Sequence, residues 1–301
     1  MNKEYKISCK NIISNSTFST HHEKKRKFDP NFKKDCFFRN GVTNFNSHER
    51  QFIKLDDVGI FSTTHAEDAA EICKLIANLK ILQPEFIKKL KPTITDGCAC
   101  CGGNVIAFQC CNLFEKVLAV EIDYDRCEYY LRNNIDVVRK FRENSVPTVA
   151  ICNNIIKLSP WITQDVIFLD PPWGGPDYKN KTKINLYLSG FKISTVVKEI
   201  FNHEKNRQNK TKCIVLKVPQ NFDIDSMINE LHNEEICLLK SFQKFELYVV
   251  YPTMQFHPPA PLTQASLLEI EGPNGGYNTS SRSSGGGNSV ISEWNEIVCL
   301  K

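Results

Sequence analysis

The chain alternates short apolar runs with stretches of helical spacing, the pattern of a sheet wound with helices. Thr93 to Asp96 reads as a first strand and Lys116 to Glu121 as a second. Val149 to Cys152, Val166 to Leu169 and Cys213 to Val218 follow as strands, and Phe245 to Tyr251 closes the sheet. Helices are expected between them at Val105 to Cys111, Asp125 to Asn144, 190–202 and Phe222 to Leu231. Upstream, Glu67 to Leu79 carries apolar residues at Ala69, Ile72, Leu75 and Ile76, one stripe of a helix that starts after Ser62-Thr63-Thr64. This order predicts a mostly parallel α/β sheet with its ligands at the carboxyl ends of the strands.

The two ends differ from this middle. Residues 1–45 are polar and without periodicity, and are expected to form a flexible basic arm. Its charge sits at Lys24-Lys25-Arg26-Lys27 and Lys33-Lys34, a nuclear address, an RNA-contacting arm or a solvated tail. Residues 46–92 form a helical segment, 93–252 the core, and 253–301 an extension rich in Pro, Gly and Ser. In the extension the apolar stretch Val290 to Trp294 is placed to dock on the domain or on a partner. A net charge of only +4 excludes a strongly basic coater of nucleic acid. Thirteen cysteines with no apolar span of membrane length indicate a reducing interior and no membrane. Cys98, Cys100, Cys101, Cys110 and Cys111 do not repeat at zinc-ribbon distances, so they read as small buried thiols and no metal is expected.

The chemistry follows the fourth strand. Asp170-Pro171-Pro172-Trp173 delivers a carboxylate, two rigid backbone carbonyls and a flat ring to one rim of the sheet. The lone pair of a base's exocyclic amine is delocalised into the ring, which makes it a poor nucleophile. When Asp170 and Pro171 accept hydrogen bonds from the amine's two N–H groups, that lone pair is oriented towards a methyl donor, and positioning lowers the barrier. Trp173 holds the base by stacking. The bland alternative is a strand-terminating turn with a core tryptophan, since Pro-Pro and Gly-Gly pairs mark turns on their own.

A second constellation lies upstream. Thr93 to Asn104 reads as strand, Gly-containing loop and helix start, with Gly97, Gly102 and Gly103 allowing close approach to a ligand. Glu121 ends the second strand, where a doubly wound sheet binds ribose hydroxyls. The loop lacks the full dinucleotide spacing, and its order relative to Asp170-Pro171-Pro172-Trp173 favours S-adenosylmethionine.

Asp96 to Asn104, Glu121 to Asp123, Arg132-Asn133-Asn134 and Asp170 to Tyr178 together resemble the trimethylguanosine synthases, the RNA-cap guanine-N2 methyltransferases, whose hallmark is Pro-Pro-Trp-Gly-Gly-Pro-Asp-Tyr. Ile53 to Ser62 resembles that family's segment over the active site, and the likeness runs over about residues 46–252. It implies a Rossmann-like class I methyltransferase with a seven-stranded sheet, a short helical segment over the site, and methyl transfer to N2 of 7-methylguanosine RNA caps. S-adenosyl-L-methionine is the implied cofactor and S-adenosyl-L-homocysteine the product, with no metal. Phe61, Asp96, Gly97, Cys98, Gly102, Asn104, Glu121, Ile122, Asn154 and Asp170 would line the cofactor. Lys54, Asn134 or its neighbour Asn133, Pro172, Trp173, Tyr178 and Gln220 would meet the capped substrate. Asp170, Pro171 and Trp173 would carry the chemistry, in a nuclear monomer or, for a viral protein, in the cytoplasm.

The chain departs from the family at three places. Asp170 stands where Ser is usual, so Asp170→Ser is expected to keep substantial activity. Asn153-Asn154 stands where Gly-Asp takes the adenine amine, and an Asn oxygen still accepts that bond. Pro219-Gln220 replaces Pro-Arg, removing a cation from the cap phosphates, for which Lys217 is the candidate stand-in. Two other classes share parts of the pattern: an amino-methyltransferase acting on adenine N6, tRNA or rRNA guanine N2, or protein glutamine, and an inactive cap-binding protein.

Overall fold

Four residues buried on both faces, Val166-Ile167-Phe168-Leu169, lie at the centre of the sheet in the computed structural model of the protein, which describes residues 38, 43–82, 91–204, 211–253 and 298–300. Their side chains alternate, Val166 and Phe168 entering one apolar core and Ile167 and Leu169 the other. A strand covered on both sides needs such a continuous apolar run.

The main sheet takes β1 (Thr93–Asp96), β2 (Lys116–Glu121), β3 (Thr148–Cys152) and β4 (Val166–Leu169). A separate hairpin of β5 (Tyr187–Leu188) and β6 (Phe191–Lys192) precedes β7 (Cys213–Pro219), β8 (Glu234–Ser241), β9 (Phe245–Pro252) and β10 (Val298–Leu300). The order is β10-β8-β9-β7-β4-β1-β2-β3. The ladders β1–β2, β1–β4, β2–β3 and β4–β7 are parallel, whereas β9 runs antiparallel to both β7 and β8. This is the expected Rossmann-like α/β sheet, with β10 added antiparallel at the edge beside β8. Sequence reading left β8 unassigned, along with β10 and the hairpin β5–β6. The order in which strands are added reverses between β1 and β4, and such a switch point opens a crevice at the carboxyl ends of the strands.

Helices cover both faces. α1 (Ser47–Arg50), α2 (Gly59–Ser62) and α3 (Ala66–Ala77) form the segment before the sheet. α3 buries Ala69, Ile72, Cys73 and Ile76, one face at helical spacing, in the first core beside α4 (Gly103–Cys110). The helix expected over Asp125 to Asn144 begins with a π turn, Arg126–Leu131, continues as α5 (Arg132–Phe141) and stops three residues early. α6 (Ile155–Leu158), α7 (Ile193–Glu204) and α8 (Ile224–Glu230) lie on the second core, where α7 buries Ile193, Val196, Val197 and Ile200. A third cluster joins Phe38, Phe45 and Ile53 to Ile106, Val137 and Val138, fixing the N-terminal segment to α4 and α5. The Lys-rich arm and the Gly/Ser-rich linker of the extension lie outside the described residues, as does the stretch Val290 to Trp294. No helix among the described residues is long and apolar enough to cross a membrane.

Candidate active site

Because β1, β2, β4 and β7 are parallel, the residues that leave them converge on one rim: Asp96, Glu121, Asp170 and Gln220. The loop after β1 turns through Cys100 and Gly102, whose φ values of 49° and 90° are both left-handed. Gly102 suits that conformation, while Cys100 adopts it against the usual steric cost. Gly97 has a different reason to be glycine. A Cβ there would lie 2.6 Å from Leu169 and 2.8 Å from Ile155, so it lets the loop press onto β4 and α6.

Glu121 is buried, and its two oxygens accept from the backbone N–H groups of Cys100 (2.8 Å) and Asp123 (2.9 Å). It therefore ties the loop to the end of β2 as well as facing the rim. Arg126, in the π turn, lies 3.5 Å from Glu121 and donates to Asp56 at 2.9 Å. π turns concentrate at functional sites. Burial alone would raise the Asp56 carboxyl, but the Gly59 N–H, Arg126 and the Cys101 thiol together hold it below its ordinary value. Asp56, Cys100 and Cys101 bring three potential metal ligands within 4.8 Å of one another. Sequence spacing missed this group because Asp56 comes from the N-terminal segment; Arg126 supplies a cation to it.

Two buried acceptors in the loop have no hydrogen-bond partner, Asp96 Oδ2 and Asn104 Oδ1. Burial pushes the Asp96 carboxyl up to about 8, with Asp170 and Glu121 adding to the rise. The unfolded chain loses this proton near its ordinary value of ~3.9. A folded pKa raised in this way contributes stability that is full below about pH 4 and is lost as pH rises through about 8. Urea midpoints of the ligand-free protein are expected to fall across that window, and Asp96→Asn to flatten the decline. A midpoint that rises from pH 5 to pH 8, or a decline left unchanged in the variant, would count against the buried neutral acid.

On the far side of β1, Asp170 Oδ2 accepts from Lys217 Nζ at 2.5 Å and lies 3.5 Å from Asn104 Nδ2. Burial raises the Asp170 carboxyl, and Lys217 opposes the rise. No described hydrogen bond uses the carbonyl of Asp170 or Pro171, as an amine-accepting site requires. Trp173 is half-buried between the two cores and meets Tyr178 edge-on, with centroids 5.3 Å apart at 83°. Its Nε1–H has no partner. Gly174 and Gly175, both at positive φ, turn the chain back, and Asn221 holds the returning loop by donating to the carbonyls of Tyr178 and Lys181.

Two sequence assignments are corrected. Asn134 is fully buried and does not face a base. Its Oδ1 accepts from Lys54 N, and its Nδ2 donates to the carbonyls of Lys54 and Cys101 at 2.7 Å each. It pins the N-terminal segment to the cofactor loop, while Asn133 donates to Phe52 O. Asn134→Ala is expected to cost about 2–3 kcal/mol by stranding these backbone groups, as measured by urea unfolding; a loss below about 0.5 kcal/mol would exclude the clamp. Lys217 is no phosphate cation: it is 4% exposed and paired with Asp170. The Asn154 oxygen caps α6 through Ile156 N at 2.9 Å and its nitrogen donates to Ser189, so an adenine amine would be a second bond on the same oxygen. Gln220, exposed at the end of β7, donates to Phe242 O. Lys54, Phe61, Ile122 and Pro172 are exposed.

The model of the family described as RNA cap guanine-N2 methyltransferase matches residues 91–253, more than half of the chain. The chain belongs to that family. It is an S-adenosylmethionine-dependent methyltransferase. The uncharacterised protein L320 of Acanthamoeba polyphaga mimivirus is 29% identical over 204 residues, 61% of this chain and 73% of that protein. Among solved structures, the rRNA methyltransferase aviRa from Streptomyces viridochromogenes aligns with 13% identity and a TM-score of 0.46, covering 72% of this chain and 96% of that one. The human methyltransferase 10 domain containing protein aligns with 11% identity and a TM-score of 0.43, covering 75% and 99%. The family match begins at residue 91, so the segment 43–82 that packs on the cofactor loop lies outside it.

The unpartnered atoms suit the cofactor of this class. Asp96 Oδ2 and Asn104 Oδ1 are acceptors that would suit a donor such as the α-ammonium of a bound amino acid, and the remaining lone pairs of Glu121 would suit ribose hydroxyls. Phe61 and Ile122 add exposed apolar surface to the set predicted to line the cofactor.

Proposed function

We propose that the protein transfers a methyl group from S-adenosylmethionine to the exocyclic N2 of 7-methylguanosine RNA caps, giving 2,7-dimethyl- or 2,2,7-trimethylguanosine. The observation that carries this reading is the loop Asp170 to Tyr178, which sets a carboxylate, two unused carbonyls and the Trp173 ring side by side on the rim that holds the cofactor loop. When bound, the cofactor supplies an electrophilic methyl group on a sulfonium whose departure leaves a neutral thioether.

The protein's own groups do the rest. Trp173 holds the guanine by stacking, more strongly when 7-methylation makes the ring cationic. Asp170 and the Pro171 carbonyl accept the two amine protons, so the nitrogen lone pair is free to form the new N–C bond as the C–S bond breaks. The excess proton on nitrogen passes to the Asp170 carboxylate or to water. The buried side of the site keeps bulk water from competing for these bonds.

Incubating the protein and labelled cofactor with guanosine, an unmethylated cap dinucleotide, a 7-methylated cap dinucleotide and an adenine-containing oligonucleotide tests the reading. Label is expected only in the 7-methylated cap, on N2. Equal label in both caps, or label in adenine, would move the protein to general base methylation.

A further inference from the structure

An interior strand carries a buried lysine that folding alone does not call for. Lys217 sits in Ile214-Val215-Leu216-Lys217-Val218 on β7, which is buried along its whole length. Its ammonium lies 5.2 Å from the centre of the Trp173 ring and 5.0 Å from that of Phe245, and its one described charge partner at ion-pair distance is Asp170. A buried ammonium is costly to desolvate, and an apolar residue at this position would pack without that cost.

Both described donors to Asp170, Lys217 Nζ and Asn104 Nδ2, approach the same oxygen, Oδ2. Oδ1 has no described protein partner. We propose that Lys217 is a positioning residue that acts through Asp170: it holds the carboxylate ionised and engages Oδ2, so that Oδ1 remains the acceptor for the substrate amine. The proposal rests on the reading that Asp170 receives that amine. It also accounts for Asp170 standing where Ser is usual in the family it resembles, because a carboxylate in so buried a place needs a cation and β7 provides one.

The electrostatic surroundings make Lys217 necessary. Asp170 faces Asp96 and the Cys98 thiol from β1 and its loop, both held towards their neutral forms by burial and by the Asp170 charge, so neither supplies it with a cation. Asp68, on α3, is within electrostatic reach of Lys217, but the described ion pair of the ammonium is with Asp170. Lys217 is thus the cation that favours the ionised form of Asp170, and burial works against it.

The test is the pH dependence of turnover in folded variants. An opposite charge at this distance depresses a carboxyl by about 1–3 pH units, so Lys217→Met should move the acid limb of kcat upward by about that amount. Lys217→Gln, which keeps a donor to Oδ2 without the charge, should shift in the same direction, and Lys217→Arg should stay near wild type. A lysine needed only for packing would lower kcat evenly and leave the limb in place, and that outcome overturns the proposal. Where Lys217→Met does not fold, Lys217→Gln gives the same decision. Infrared difference spectra of ligand-free wild type against Asp170→Asn, repeated in the Lys217→Gln background, follow the carboxyl band without any substrate. A shift in that band alongside failure to methylate caps would uphold the role of Lys217 while rejecting the cap reading, and an unshifted band would reject the role itself.

Discussion

Trp173→Ala is expected to lower kcat/KM on a 7-methylated cap dinucleotide by roughly ten- to a thousandfold, with cofactor affinity little changed. Stacking of one base on an aromatic side chain is worth about 1–3 kcal/mol, and the cationic character of the methylated base adds about 0.5–2 kcal/mol. Their loss falls on substrate capture, because Trp173 lies on the β4 side of the rim and the cofactor loop follows β1. The ring also packs against both apolar cores, so the alanine variant should melt earlier. Trp173→Phe separates the two effects: it keeps a smaller stacking surface and most of the packing, and should retain part of the activity. Steady-state rates on both caps, with calorimetry for the cofactor, check this. A folded Trp173→Ala that methylates at wild-type efficiency would show that the ring is only a core residue.

Asp170→Ala should lose roughly one to three powers of ten in kcat, the usual effect of deleting one preorganised electrostatic contact. The structure adds a second consequence. The variant leaves Lys217 buried without its anion, and breaking a buried pair from one side costs about 3–5 kcal/mol. The stranded ammonium would also repel a cationic base near Trp173, raising KM. For the same reason Asp170→Ser, expected from sequence to stay active, should be unstable and slow, since a hydroxyl cannot neutralise Lys217. Thermal melts and rates of Asp170→Ser, alone and combined with Lys217→Met, measure this directly. Equal stability of the single and double variants would mean that the pair contributes nothing.

The fold was largely legible because its central strands are apolar on both faces. Val166 to Leu169 was read to the residue, and Cys213 to Val218 to within one. β8 was missed because Glu234-Glu235-Ile236-Cys237-Leu238-Leu239-Lys240-Ser241 has only Ile236 and Cys237 fully buried, too little for a strand signal. The hairpin β5–β6 is shorter than any periodicity can show. At the site, the chain positions of Asp96, Glu121, Asp170 and Trp173 could be placed on one rim from strand order. Their partners could not, since Asn134 meets Lys54 across 80 positions and Asp56 meets Arg126 across 70. One partner did leave a local mark: a lysine inside the apolar run of β7 is a charge that needs a buried counterpart, and Asp170 follows the strand beside it.

The clamp at Asn134 sets a limit on how far the protein can be trimmed. A fragment reduced to residues 91–253 would leave Asn134, Arg126 and Arg142 facing water where Lys54, Asp56 and Glu49 now meet them. It would also uncover Ile106, Val137 and Val138 beneath Phe45 and Ile53. The smallest unit fit for crystallisation or for transplanting this activity into another chain therefore starts no later than Thr43, whose carbonyl receives Arg142.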